Sequence, residues 1–96
     1  MKNYLLSMVC NAEGTMVSVH ANAGGLERLI DSLTRLRQLV LDGQCEDLHL
    51  FSDHSLGGEL TSTKLGDSDC EAVNVLHCKV YGWTDEWAER HNLLEQ

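Results

Sequence analysis

One segment, residues 22–43, carries the clearest helical pattern in the chain, and it limits what the remaining segments can build. Its apolar residues recur at a spacing of three or four: Leu26, Leu29, Ile30, Leu33, Leu36 and Val40. Asn22 is a suitable N-cap, and Gly43 is suited to end the helix just beyond its last turn. Because a helix with one apolar face must bury it against another element, the pattern predicts a long structural helix packed on a sheet.

Strand patterns lie on both sides of this helix. Residues 4–10 and 15–21 are apolar, β-branched runs, and the intervening Asn11–Gly14 suits a hairpin turn with glycine in the left-handed conformation. Residues 46–52 alternate, which places Leu48 and Leu50 inward and His49 and Phe51 on the opposite face.

The C-terminal half predicts further strands and a last helix. The expected order is a loop over 53–58, a short edge strand over 59–65, an acidic loop over 66–71, a strand over 72–83 and a helix capped by Thr84. Residues 72–83 are nearly continuously apolar, so we expect them to form a central strand that is covered on both faces.

These elements predict one α+β domain spanning residues 1–96. The expected architecture is a two-layer sandwich: a mostly antiparallel sheet with one long amphipathic helix on one face and a short C-terminal helix. The order is ββαβββα, and the strand–helix–strand passage over 15–52 is compatible with a right-handed crossover.

Charge limits the possible partners. The formal net charge is −8, from 15 acidic against 7 basic residues, and the basic residues are scattered along the chain. A nucleic-acid interface needs clustered Lys and Arg, so direct nucleic-acid binding is disfavoured. An acidic surface steers toward a basic protein partner, although acidity also serves solubility alone.

Cysteine usage and the N-terminus predict a cytoplasmic protein with reduced thiols. The four cysteines, at 10, 45, 70 and 78, form no C-x-x-C pair. The apolar run in MKNYLLSMVC is too short for a signal peptide, and Val9 stands where a lipoprotein signal needs a small residue. No run is long enough to span a membrane. Cys78, within an apolar strand, is expected to pack as a small hydrophobic residue.

Residue types that could support catalysis are present without the motifs that organise them. His20, His49 and His77 fall on three predicted strands and by parity could share the face away from the helix, where they could form a zinc site. No acidic residue on those strands is an obvious partner for them, and exposed polar strand residues are the commoner outcome. No nucleophile, dinucleotide or phosphate motif is present. We therefore expect no enzyme activity, metal or cofactor.

The segment KVYGWTDEWAERH, residues 79–91, holds both tryptophans of the chain. Trp87, His91 and Leu94 are spaced to share one face of the last helix. These aromatic residues either fasten the helix to the sheet or form a partner surface with the surrounding acids as its rim. We expect Trp87 to be mainly structural and Trp83 to be the more exposed.

The order of several motifs resembles the bacterial immunity protein 32 family of polymorphic toxin systems. The resemblance covers roughly residues 15–83 and rests on GGLERLIDSLTRL (24–36), DLHLFS (47–52), GGELTSTKL (57–65) and VNVLHCKVYGW (73–83). The most distinctive part is the G-G-x-L-[ST] element between an alternating strand and a strand that ends in tryptophan.

The resemblance implies a non-enzymatic cytoplasmic protein that binds and neutralises a cognate toxin. The net charge of −8 favours a basic toxin as the partner. It implies no catalytic residues. The candidate contact residues are the acidic loop and the acids and tryptophans of the last strand and helix: Asp67, Asp69, Glu71, Trp83, Asp85, Glu86 and Trp87. Two alternatives remain: a small homodimeric adaptor that associates through a sheet face or an edge strand, and a metal-dependent hydrolase that uses the histidine face.

Overall fold

The computed structural model describes residues 4–52, 58–61 and 72–94. Seven elements follow one another along the chain: β1 (Leu6–Cys10), β2 (Val17–Ala21), α1 (Ala23–Leu41), β3 (Glu46–Phe51), β4 (Val73–Asn74), β5 (His77–Gly82) and α2 (Asp85–Arg90). The predicted α+β class, with one long helix and a short C-terminal helix, is confirmed. No helix within the described ranges is both long and apolar enough to cross a membrane.

The described strands form two antiparallel sheets. One has the order β2-β1-β4, and the other pairs β3 with β5. The N–H of Leu60 donates to the carbonyl oxygen of Phe51 over 2.8 Å, and the N–H of Thr61 donates to that of Leu6 over 2.7 Å. Residues 58–61 therefore connect the two sheets through backbone hydrogen bonds. Because β2 and β3 lie in different sheets, they do not form the parallel pair that a crossover would require.

The β1–β2 hairpin forms as predicted. Gly14 closes the turn at φ 73°, in the left-handed region that favours glycine. The side-chain oxygen of Asn11 accepts hydrogen bonds from the N–H groups of Thr15 and Met16, which holds the turn from within.

The start of α1 is held by the side chain of Asn22 and by a close backbone contact at Gly25. The Oδ1 atom of Asn22 accepts the N–H of Gly25 as an N-cap over 2.9 Å, and it also accepts the N–H of Leu5 over 3.0 Å. A side chain at Gly25 would overlap the carbonyl oxygen of Leu5, so glycine allows the helix to approach β1 closely. At the other end, Gly43 has φ 90°, as expected for the residue that follows a helix.

The core lies between α1 and the sheets. Its centre is a buried cluster of Leu6, Met8, Leu50 and Leu60. Cys78 packs against this cluster, which confirms the prediction that it behaves as a small hydrophobic residue.

Only part of the predicted apolar face of α1 is buried: Leu29 packs against the core and Val40 lies against Gly82. Gly25, Ser32 and Leu36 are buried. Leu26, Ile30 and Leu33, which were expected to face the sheet, are exposed. The apolar stripe is wider than the contact that the sheets provide, so only one side of the stripe is covered.

The predicted central strand over 72–83 is also wrong in detail. The segment divides at Val75–Leu76 into β4, which pairs with β1, and β5, which pairs with β3. The strand that is buried on both faces is β1, whose residues 6–9 are all buried. An apolar run can serve two short strands in two sheets, and hydrophobicity does not mark the break.

Some expectations fall outside the described residues. These are the loop over 53–57, most of the predicted strand over 59–65 and the acidic loop over 66–71.

Candidate protein-interaction surface

The side of β3 and β5 that faces away from α1 carries most of the aromatic and imidazole rings of the described chain. In the β3–β5 register, Leu50 lies opposite Cys78, and both belong to the core. Phe51 and its partner His77 therefore point to the other face, because neighbouring residues of a strand alternate. At the far end of β5, Gly82 lies against Val40 and Leu36 of α1.

Four rings form a continuous C-terminal aromatic stack. The ring centroids of Tyr81 and Trp83 are 5.5 Å apart, those of Trp83 and Trp87 are 3.9 Å apart, and those of Trp87 and His91 are 4.1 Å apart. All three pairs are near parallel. The stack continues from β5 into α2 without interruption.

Local sequence explains why the stack forms. Tyr81 and Trp83 are two residues apart in an extended segment, so they share a face. Thr84 follows Trp83 and is the N-cap of α2: its Oγ1 atom accepts the N–H of Trp87 over 3.2 Å. The spacing of four residues brings His91, the C-cap of α2, onto Trp87. The Nδ1 atom of His91 lies 2.8 Å from the carbonyl oxygen of Trp87, which orients the imidazole.

A second group on this face, the His49–Phe51–His77 cluster, is equally compact. The Nδ1 atom of His49 and the Nε2 atom of His77 are 2.8 Å apart, and their rings are inclined by only 20°. The ring of Phe51 lies 4.2 Å from that of His77. Because an imidazole hydrogen bond of this kind needs one acceptor nitrogen, at least one of the two rings is neutral when the bond is present.

Lys79 and Asp47 lie between the two groups and connect them. The Nζ atom of Lys79 is 3.4 Å from Oδ2 of Asp47 and 4.7 Å from the centroid of the Tyr81 ring. The hydrogen bond with Tyr81, and after it the one with Asp47, raises the pKa of Lys79. The same carboxylate oxygen of Asp47 is 3.6 Å from Nε2 of His49. We call the whole surface, from the His49–Phe51–His77 cluster to the C-terminal aromatic stack, the aromatic face.

The aromatic face is open to solvent. Tyr81 is 51 % exposed and Trp83 is 39 % exposed, whereas Trp87 is half-buried. Trp83 is thus the more exposed of the two tryptophans, as expected. Asp85 and Glu86, in the first turn of α2, are exposed beside the stack. An exposed aromatic strip with acidic neighbours is suited to bind another macromolecule.

The structure brings together part of the predicted contact set. Trp83, Asp85, Glu86 and Trp87 lie in or next to the C-terminal aromatic stack. The acidic-loop candidates Asp67, Asp69 and Glu71 lie outside the described residues.

Other members of the aromatic face were missed from the sequence. Phe51, Lys79 and Asp47 were not recognised as part of the same surface as the tryptophans. Strand parity could have placed them on the correct face, but only the β3–β5 register shows that they are neighbours.

The prediction that Leu94 shares a helix face with Trp87 is wrong. The last helix ends at Arg90, and Asn92 follows with φ 56°, in the left-handed region. Leu94 therefore lies beyond the helix and is exposed.

The three histidines of the metal hypothesis do not come together as one group. His49 and His77 meet, but His20 pairs with Ser7 in the other sheet. Within the described ranges, no three or more His, Cys, Asp or Glu residues are placed to hold a metal ion. The expectation that no acidic strand residue accompanies the histidines is also wrong, because Asp47 lies beside His49.

Searches of protein-family models, of curated proteins and of solved structures found no match for this chain.

Proposed function

We propose that this protein is a non-enzymatic immunity protein, which binds a cognate toxin and neutralises it, and that the aromatic face is its contact surface. The observation that carries the proposal is the exposure of a continuous ring system on a small domain. Rings that served only to hold α2 on the sheet would be buried. Exposed tyrosine and tryptophan are instead the residue types that dominate the affinity of protein interfaces.

The arrangement of the rings also favours protein binding. Stacking fixes the side chains of Tyr81, Trp83 and Trp87 before a partner arrives. A partner would therefore bind a surface whose conformational entropy is already low, and less free energy is lost on association.

Two further points support a toxin as the partner. The order of motifs over residues 15–83 resembles the immunity protein 32 family, whose members neutralise toxins. The net charge of −8 and the exposed carboxylates of Asp85 and Glu86 beside the rings favour a basic protein over an acidic one.

Co-expression with a candidate cognate toxin domain tests the proposal. We expect the wild-type chain to restore growth and to co-purify with the toxin as a stable complex. The variant Trp83→Ala should lose rescue and weaken binding by at least about tenfold, because it removes the ring at the centre of the exposed stack.

A matched control separates the aromatic face from the remaining apolar surface. Ile30→Ala removes another exposed apolar side chain, on α1, and should leave rescue intact. Circular dichroism should show that both variants are folded. Failure of the wild-type chain to rescue or to bind the toxin would refute the immunity role, and equal loss in both variants would refute the assignment to the aromatic face.

A further inference from the structure

Within the described residues, no strand pairs with the outer edge of β2, the edge that faces away from β1. The carbonyl oxygens of Leu6 and Met8 accept from Thr61 and Val75, so these β1 residues direct their backbone groups away from β2. Because the direction alternates along an antiparallel strand, β1 bonds to β2 through Ser7 and Val9. Their partners are His20 and Ser18.

The backbone N–H and C=O groups of the other three β2 residues, Val17, Val19 and Ala21, therefore point away from the sheet. Among the described strands, β1 alone pairs with β2, which lies at the end of its sheet.

The sequence of β2 itself does not protect this edge against pairing. The β2 sequence VSVHA contains no Lys, Arg, Asp, Glu or Pro. Natural edge strands are commonly blocked by charge, by proline or by a bulge. Here Val17 is 59 % exposed and Val19 is 47 % exposed. Both side chains lie on the same sheet face as Ala21, because residues two apart along a strand point to the same side. Their β1 partners, Cys10, Met8 and Leu6, lie on that face as well.

We infer that β2 pairs with β2 of a second copy of this chain, antiparallel and about a two-fold axis that passes beside Val19. In that register the two Val19 residues exchange both backbone hydrogen bonds. Val17 of each copy lies opposite Ala21 of the other, next to the N-cap of α1. The exposed valines and the exposed Leu26 of the second copy then come to lie on one continuous face.

A second copy fits this edge better than another partner does. Antiparallel pairing of a strand with itself is self-complementary, as a two-fold interface requires. With a net charge of −8, two copies repel each other over most of their surface, and an edge without charged residues allows close approach. A basic toxin would gain nothing from an uncharged edge and would be drawn to the acidic residues instead.

The size of the contact limits its strength. One five-residue strand and a few valine and leucine side chains bury less than the ~800 Å² per partner of a standard stable interface. We therefore expect a reversible dimer with a Kd on the order of tens of micromolar. The inference does not depend on the proposed function, because β2 and the aromatic face belong to different sheets.

Cross-linking of the full chain tests the register. In Val19→Cys, the two introduced thiols would belong to a directly opposite pair with Cα atoms about 5.5 Å apart, within the range that a disulfide spans. Both variants carry Cys10→Ser, because Cys10 lies opposite Val17 in β1 and would form an intramolecular disulfide with a cysteine at that position. In the matched control Val17→Cys, the two introduced thiols would be separated by four residues of strand, about 14 Å. Mild oxidation should give several times more covalent dimer from Val19→Cys than from Val17→Cys or from the wild-type chain with its native cysteines.

Analytical ultracentrifugation tests the association itself. The wild-type chain should change from monomer to dimer over roughly 1–200 µM. Val19→Lys should remain monomeric, because two like charges would meet at the axis. Leu76→Lys, at an exposed apolar residue outside β2, should still dimerise. A wild-type chain that stays monomeric over this range, or equal cross-linking of the Val19→Cys and Val17→Cys variants, would overturn the inference.

Discussion

Gly25 shows how one residue without a side chain fixes the distance between α1 and β1. Its backbone lies so close to the carbonyl oxygen of Leu5 that a methyl group at Gly25 would overlap it, and backbone cannot move aside as a flexible side chain can. A methyl group at the neighbouring Gly24 would come no closer than 3.1 Å to any atom, the nearest being the Cβ atom of Tyr4. The sequence alone does not distinguish the two glycines. Only the packing shows that Gly25 permits a close contact.

We predict that Gly25→Ala lowers the free energy of unfolding by at least about 2 kcal/mol. The overlap with Leu5 must separate α1 from β1, and this cost exceeds the roughly 1 kcal/mol by which alanine favours a helix over glycine. Urea denaturation followed by circular dichroism measures the change. Gly24→Ala is the control, and its change should stay within about 1 kcal/mol. Equal effects of the two substitutions would contradict the contact-based explanation.

The cysteines differ in environment and should differ in reactivity. Burial raises the pKa of Cys78, so its thiolate is less populated at a given pH, and access to it is also restricted. Cys45 is exposed. We predict that iodoacetamide at about pH 8 alkylates Cys45 at least about ten times faster than Cys78, as measured by peptide mass mapping over time. Comparable rates would show that Cys78 is more accessible than its packing against the core implies.

The long helix shows what an element reveals through its sequence and what it does not. Its position, its Asn22 cap and its terminal glycine were predictable, because capping and periodicity are local properties. The buried side of α1 was not predictable. Six apolar residues cover more of the helix circumference than the sheets contact, and the side that is covered depends on the path of β3 and β5.

The difference between the buried side and the exposed side of α1 gives a direct test. Leu36 is 6 % exposed, and we predict that Leu36→Ala lowers the free energy of unfolding by about 2–4 kcal/mol through lost burial and a residual cavity. Ile30 is 59 % exposed, and Ile30→Ala should cost less than about 1 kcal/mol. Urea denaturation of both variants measures the difference. Similar losses would mean that α1 packs through the other side of its apolar stripe.

The candidate site, like α1, was predictable only in part from the sequence. Trp83, Trp87 and the first-turn acids of α2 stand out in the sequence because they are close along the chain. The His49–Phe51–His77 cluster does not, because it depends on a strand register between segments that lie more than twenty residues apart. The break between β4 and β5 limited the prediction further, since hydrophobicity does not show where one strand leaves one sheet and the next joins another.

At the scale of the whole molecule, the excess of acidic residues should govern how fast a basic partner arrives. If the proposed function is correct, Asp85→Asn together with Glu86→Gln should lower the association rate severalfold at about 50 mM salt and much less at about 500 mM, where screening dominates. Stopped-flow tryptophan fluorescence with the toxin measures this rate. Glu27→Gln, at an exposed acid on α1, should change it little. A rate that does not depend on salt in the wild-type chain would argue against electrostatic steering.

The position of β1 has a consequence for the order in which the chain acquires its structure during synthesis. One edge of β1 pairs with β2, only a few residues later, but its other edge bonds to Thr61 and Val75 and pairs with β4. The hairpin and α1 can form as soon as they leave the ribosome, whereas the hydrogen bonds on the other edge of β1 must wait until more than fifty further residues have been translated. Until then the nascent chain exposes an apolar strand edge, and this is the interval in which a chaperone would have the most to protect.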